Sequence, residues 1–361
     1  MSLLTTKNDQ DSSDIDEQQI LSCVTMEYFE DDLFDCIVMN KGCKILDYLK
    51  KGLDINHAFR STDRPDRLGK TLLEIAVLYG VTDVVKILIK RKCDVNLTYV
   101  VNIKDFSYQL EEFKKRDKLK LTCMYRCIVQ ADIHLIKMLV NAGFDVNAFD
   151  ERGCTSIWHA ADLNNYDMLK SMLLSKEADV NKADNTRLTP LHISAMKGNV
   201  KMTSLLIQRG ADVDKVQLRG STALILACRA ADYDTVRILL LNGADPNHVG
   251  YNGHNVISTA LQSTKDIRIP EMLISCGALI DLELIDLCRK EGKKFLLLKE
   301  HPEFFELLKE CAFTPRTMKT LCCLNIRRLL VQSRVKMHLI KKVEKLPLPR
   351  LIKDYLLFGH V

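Results

Sequence analysis

The sequence predicts an all-α solenoid of about six to seven stacked units with short hairpin turns, followed by a small helical module. Three observations predict it. A helix-capping residue recurs at Thr71, Thr122, Thr155, Thr189, Thr222 and Asn255, and the last four steps are 33, 34, 33 and 33 residues. Five positions after each marker stands a small residue: Ala76, Cys127, Ala160, Ser194, Ala227 and Ala260. Further on, one column is Leu in every unit: Leu88, Leu139, Leu173, Leu206, Leu239 and Leu273. Small residues let neighbouring helices approach closely, and the Leu column fills the space between layers.

Thr189–Asp214, TPLHISAMKGNVKMTSLLIQRGADVD, shows the unit in its clearest form. Thr189 supplies a capping hydroxyl, and Pro190 suits the first helical position, where a missing N–H costs nothing. Gly198 and Gly210 end the two helices, since glycine takes the left-handed cap freely. Two helices this short cannot bury their apolar faces alone, so each unit requires neighbours like itself. The 33-residue step and the TPLH start resemble the ankyrin repeat. The resemblance holds in register over residues 31–286 and implies a protein-binding solenoid.

Composition narrows the rest. Hydrophobic residues make up 47%, enough for a sizeable core, yet no apolar run approaches the ~20 residues that span a bilayer. The N-terminus is polar and acidic, unlike a secretory signal. Thirteen cysteines without an export signal read as reduced thiols of a cytoplasmic or nuclear protein. The net charge of +5 is unevenly placed. Residues 1–35 hold ten acids and one Lys, whereas residues 313–361 hold eleven basic residues and two acids. Those basic residues alternate with an apolar stripe, which argues for a helical module rather than nucleic-acid binding.

In chain order, residues 1–28 predict a disordered acidic tail, either plainly solvated or used in recruitment. Residues 29–68 read as a divergent first unit, with LFDCIVMNKG and CKILDYLKKG as its two helices. The step from Thr71 to Thr122 is 51 residues, so about 18 are inserted over 97–119. This insert carries Tyr99, Phe106, Tyr108 and Phe113, then Lys114, Lys115, Arg116 and Lys118. It suits either partner capture or a long hairpin folded onto its own unit. Residues 287–312 read as degenerate capping helices, with LELIDLCRKEG leading in and PEFFELLKECA at the end.

Substrate-binding candidates follow from the repeat register. Arg152, Trp158, Arg187, Arg219 and Tyr251 stand at turn tips or first helices of the middle units. Arg, Trp and Tyr dominate protein-binding hot spots. Trp158 takes the usual His position of TPLH and fits either a surface anchor or a plug between units. His192, in the same column, reads as a structural histidine. No P-loop, GxSxG or HExxH occurs. No cysteine has an evident His or acid beside it, so no catalytic residue, metal or cofactor is expected.

The last 49 residues differ in character. Met318, Cys322 and Ile326 are spaced i, i+4, i+8 and span an arc of about 80° on one helix face. Such a stripe suits a helix laid into a groove. Leu346, Pro347, Leu348 and Pro349 form a rigid extended segment, because proline lacks a donor and restrains the residue before it. Together these resemble a SOCS box over residues 313–361. The resemblance makes Met318, Cys322 and Ile326 the elongin-binding stripe, with Met in place of the usual Leu. It makes Leu346–Pro349 the cullin-binding segment.

Repeats followed by such a box resemble the ankyrin repeat and SOCS box family. That implies a non-catalytic substrate receptor of a ubiquitin ligase. Its partners would be elongin C, elongin B, cullin five with its RING subunit and an unidentified target, with no nucleic acid and no membrane insertion. Two alternatives stand beside it: a plain ankyrin scaffold capped by its C-terminal helices, and an ankyrin protein with an F-box-like tail.

Overall fold

The computed structural model describes residues 29–59, 69–102, 118–122, 124, 127–128, 130–150, 152–251, 253, 255–290, 294–313 and 343. The acidic tail, most of the insert and the C-terminal box lie outside the described residues. The chain divides into two compact units, residues 1–145 and 146–361.

In the first unit, helix α1 covers 29–38 and α2 covers Gly42–Lys50, the divergent pair anticipated above. Helices α3 (Leu72–Leu78) and α4 (Thr82–Lys90) follow. Thr71 closes a full capping box: its side chain accepts the Glu74 N–H, and the Thr71 N–H donates 2.6 Å to Glu74 Oε2. Glu74 is buried and its Oε1 has no hydrogen-bond partner among the described residues. Burial pushes its carboxyl up to about 8, against the opposing pull of the Thr71 hydrogen bonds and Lys70. A folded value above the unfolded 4.5 means stability that is full below pH 4.5 and lost as pH rises through about 8. Glu74→Gln keeps the cap and removes the buried charge. It should raise the melting temperature at pH 8.5 and leave it unchanged near pH 4, as thermal unfolding at the two pH values would read.

Within the all-α array the ends of the insert pair as a two-stranded ladder, in line with the hairpin reading of this stretch. Strand β1 (Thr98–Asn102) pairs antiparallel with β2 (Lys118–Thr122), in a register that sets Val100 against Lys120. Thr98, Val100 and Val101 are β-branched and Tyr99 is aromatic, while Leu119 and Leu121 alternate with Lys118 and Lys120, and both patterns favour a strand over a helix. These are the only strands among the described residues. Positions 124, 127 and 128 are helical, and α5 (Ile133–Asn141) completes this repeat.

The second unit holds the regular repeats. Their first and second helices are α6 (Ser156–Asp162) with α7 (Tyr166–Met172), α8 (Pro190–Met196) with α9 (Val200–Gln208), α10 (Ala223–Arg229) with α11 (Tyr233–Leu241), and α12 (Val256–Ser263) with α13 (Arg268–Ser275). Each marker caps its helix: Thr155, Thr189, Thr222 and Asn255 accept from the N–H of Trp158, His192, Ile225 and Ser258. The small column and the Leu column are buried in every repeat. Beyond them lie α14 (Leu282–Lys290), α15 (Leu296–Glu300) and α16 (Glu303–Phe313). The short α15 escaped the sequence reading. It packs against α12 and, with α16, closes the array over Phe295, Leu297, Phe304 and Leu308.

An asparagine ladder ties successive loops. Asn147 accepts the Asp179 N–H and donates to the Glu177 carbonyl; Asn181 accepts from Asp212 and donates to Gly210; Asn247 accepts from Leu279 and donates to Gly277. Asp214 stands in the same register. It accepts the Asp245 N–H at 2.8 Å but, as a carboxylate, has nothing to donate. Local desolvation of the carboxyl, in a residue that is otherwise exposed, then the neighbouring carboxylates of Asp245 and Asp212, holds it above the usual range. Asp214→Asn restores the missing donor and should stabilise by about 1 kcal/mol. The raised folded value makes Asp214 most favourable below its unfolded 3.8, so the gain should be larger at pH 7 than at pH 3.5. Equal melting temperatures at pH 7 would count against the ladder.

Candidate functional site

The turn tips of the second unit form the candidate site, and each is built by one acceptor at its base. Asp150 Oδ1 accepts the N–H groups of Arg152 (2.9 Å) and Cys154 (2.8 Å). Asp184 Oδ1 accepts those of Thr186 (2.9 Å) and Leu188 (2.8 Å). Gln217 Oε1 accepts the Arg219 N–H at 3.0 Å. Gly250 leads the fourth tip, whose Gly253 N–H donates to the Gly250 carbonyl. Such side-chain-to-backbone bonds suit Asp, and they fix the tip whatever the helices do.

Successive tips are bonded to one another. The Asn185 N–H donates to the Arg152 carbonyl at 3.1 Å, and the Leu218 N–H to the Thr186 carbonyl at 2.9 Å. His248 Nε2 donates to the Gly220 carbonyl at 2.8 Å. The approach is close: a Cβ on Gly220 would lie 2.5 Å from the Tyr251 nitrogen. Four tips therefore make one ridge.

The five sequence candidates divide on this ridge. Arg187 and Arg219 are exposed, and Tyr251 is 73% exposed. Arg152 is half-buried, with its guanidinium 5.6 Å from the Trp158 ring centroid. Trp158 is only 6% exposed, and its indole N–H donates to the Leu188 carbonyl at 3.1 Å. On the helix that follows the first tip, and bonded to the end of the second, it lies under the ridge and supports Arg152 instead of offering a surface anchor. His192 is structural, as expected: the Thr189 N–H donates to its Nδ1 at 3.2 Å, and burial pushes its ring down to about 4. The imidazole is neutral at physiological pH.

Sequence reasoning missed Leu218, Phe149 and Val249, all more than half exposed. Their register could have found two of them. Leu218 stands 33 residues before Tyr251, and Val249 is the counterpart of Phe149. Lys182 lies over the Phe149 ring at 4.4 Å.

One expectation is overturned. The structure does set an acid and a histidine beside a cysteine: ligand atoms of Asp150, Cys154 and His159 all lie within 4.8 Å of one another. Their chemistry is already engaged. His159 Nε2 donates 2.9 Å to Asp150 Oδ2. Burial would raise the Asp150 carboxyl, but the bonds from His159 and the tip N–H groups hold it below the usual range. Burial and the Asp150 charge push the Cys154 thiol up to about 12, so it stays protonated at neutral pH. The group locks the first tip onto α6. The nine cysteines of the described residues are free thiols, with Cys36, Cys127 and Cys228 among the buried ones. Among the described residues no helix is long and apolar enough to cross a membrane.

Comparison with known families agrees with this architecture. A family model for ankyrin repeats in three copies matches residues 171–250, and single ankyrin repeats match 68–97 and 152–185. A SOCS box model matches residues 314–357. Among curated proteins, the chain is 25% identical over 167 residues to the nuclear factor NF-kappa-B p105 subunit of Gallus gallus. That alignment covers 46% of this chain and 15% of the relative. It is 27% identical over 136 residues to the ankyrin repeat and KH domain-containing protein mask-1 of Caenorhabditis elegans, covering 38% and 4%. The chain thus spans a small fraction of either relative, and both likenesses are of a length that repeats alone explain.

Proposed function

Since the chain joins ankyrin repeats to a SOCS box and so belongs to the ankyrin repeat and SOCS box family, we propose that it is the substrate receptor of a cullin–RING ubiquitin ligase. The SOCS box over residues 314–357 carries this reading. In it, Met318, Cys322 and Ile326 insert into elongin C, which brings elongin B. Leu346, Pro347, Leu348 and Pro349 meet cullin five with its RING subunit. The ridge of Arg152, Arg187, Arg219 and Tyr251, backed by Trp158, holds the target. The insert at 97–119 is a second contact.

The receptor works by proximity: two binding events on one chain raise the target's effective concentration at the ubiquitin-conjugating enzyme. No group of this chain takes part in the transfer. The location that follows is cytoplasmic or nuclear, where the partners are.

Affinity purification of the tagged full chain tests the reading. Elongin B, elongin C and cullin five should co-purify in comparable amounts. A partner list with ankyrin-binding proteins alone would favour the plain scaffold; a Skp-type adaptor would favour the F-box-like tail.

A further inference from the structure

The proposed receptor has a target, and its chemistry can be read from the ridge. We infer that the tips take an extended acidic segment of the target protein; this rests on the receptor reading and specifies its ligand. The acids of the ridge face inward. Asp150 is spent on His159 and on the N–H groups of Arg152 and Cys154. Asp184 is spent on Thr186 and Leu188. The same position is neutral in the next two tips, Gln217 and Gly250. Glu151 is the remaining acid in the tip sequences and lies outside the described residues.

The cations face outward. Arg187 and Arg219 are exposed, and neither guanidinium has an acidic partner among the described residues. Arg152 occupies the preceding rung. The legs of the second and third tips are mixed: half-buried Lys182 and Lys215 stand over Phe149 and against the Asn181 carbonyl, beside exposed Asp179, Asp212 and Asp214, each of which accepts a backbone N–H. Beside them Leu218 and Tyr251 give apolar purchase.

Arg187 is set where glycine would be easiest. The equivalent tip residues are Gly153, Gly220 and Gly253, all with positive φ, and Arg187 holds φ of 61°. The other non-glycine residues with positive φ lie at ends of helices, not at tips. A side chain in the left-handed region is disfavoured. Its retention at the centre of the ridge fits a use for the charge, since strain of this kind gathers at functional positions.

The rung spacing sets the ligand's spacing. Packed helices lie about 8–10 Å apart, and an extended chain rises about 3.3 Å per residue. One cation per rung therefore matches one acid every third residue. A nucleic acid fits less well. Among the described residues the ridge and its legs expose two aromatic residues, Tyr251 and Phe149, and Lys182 already lies over the Phe149 ring, where single-strand binders stack bases on several open rings.

The test uses the full chain with elongins B and C. The probe is a fluorescent 15-residue peptide with Glu at every third position and Ser or Gly between; the control carries Gln for Glu. Binding should be confined to the Glu peptide and weaken with salt. Arg187→Gly should bind about 2–5-fold less tightly, and the double variant with Arg219→Ala about 10-fold less tightly, in line with exposed charge pairs. Arg187→Gly relieves the backbone, so its melting temperature should not fall below wild type. This separates a lost contact from a lost fold. Equal binding of the Gln peptide, or unchanged affinity in the double variant, would overturn the inference. So would tighter binding of an oligothymidine lost in the same variants. Elongin retention, read on the same samples, is independent of the ridge: its failure would strike the receptor reading instead.

Discussion

A chain carrying Cys322→Asp and Ile326→Asp should lose elongin C. Both residues lie on the single stripe that the SOCS-box reading places in an apolar groove. Charge buried there without a partner costs several kcal/mol, which at 1.4 kcal/mol per decade means at least ~100-fold in affinity. On the proposed reading cullin five should be lost with it, because elongin C is expected to form part of the surface on which the cullin docks. Replacing Leu346–Pro349 by alanine should act differently. It frees the rigid segment and removes two apolar side chains, yet leaves the stripe untouched. Elongins should stay bound while cullin five weakens. If both segments only capped the last repeat, each variant would melt earlier and neither would change a partner list. Co-purification of the two variants with elongin B, elongin C and cullin five distinguishes these outcomes. Elongin held at wild-type level by the charged stripe would end the receptor reading at its most specific point.

Leu206→Asp should unfold the second unit at least locally. Leu206 is fully buried on α9 and belongs to the column that fills every layer. An unpaired carboxylate there loses the packing of a leucine and gains a desolvation penalty, together several kcal/mol. Because each repeat is stabilised by its neighbours, damage spreads along the array. Circular dichroism should show lost helix and a lower or broadened melt. A cooperative melt equal to wild type would contradict a stacked-repeat architecture. An exposed position on the same helix, such as Lys201→Asp, should change the melt little.

Much of the fold was legible because the repeat writes the same physics several times. A capping residue, a small residue and a leucine recur at fixed offsets, and the structure caps or buries them. The helices at 29–38, Gly42–Lys50, Leu282–Lys290 and Glu303–Phe313 were legible from pattern without the full motif. Leu296–Glu300 was not. A five-residue helix shows barely one turn, too little for a period to stand out. The long hairpin was one of the two readings of the insert, but the bounds of its strands were not legible, because only their mutual pairing makes them strands.

The candidate site was legible in residue type but not in orientation. Arg187, Arg219 and Tyr251 were found by register and are exposed, whereas Trp158, chosen on the same ground, is buried beneath the tip. Leu218 was passed over because an apolar residue in a repeat is ordinarily core. The sequence by itself determined the periodic array, its layers and the presence of a C-terminal SOCS box, because each depends on spacing along the chain. Tertiary structure alone decided which charges remain available. Asp150 and Asp184 are consumed by backbone N–H groups and a histidine, while Arg187 and Arg219 stand outward. Nothing in the order of residues says which of two opposite charges in one turn will be satisfied locally. That depends on donors the fold brings within about 3 Å, from which a carboxylate accepts and a guanidinium, having no acceptor, cannot.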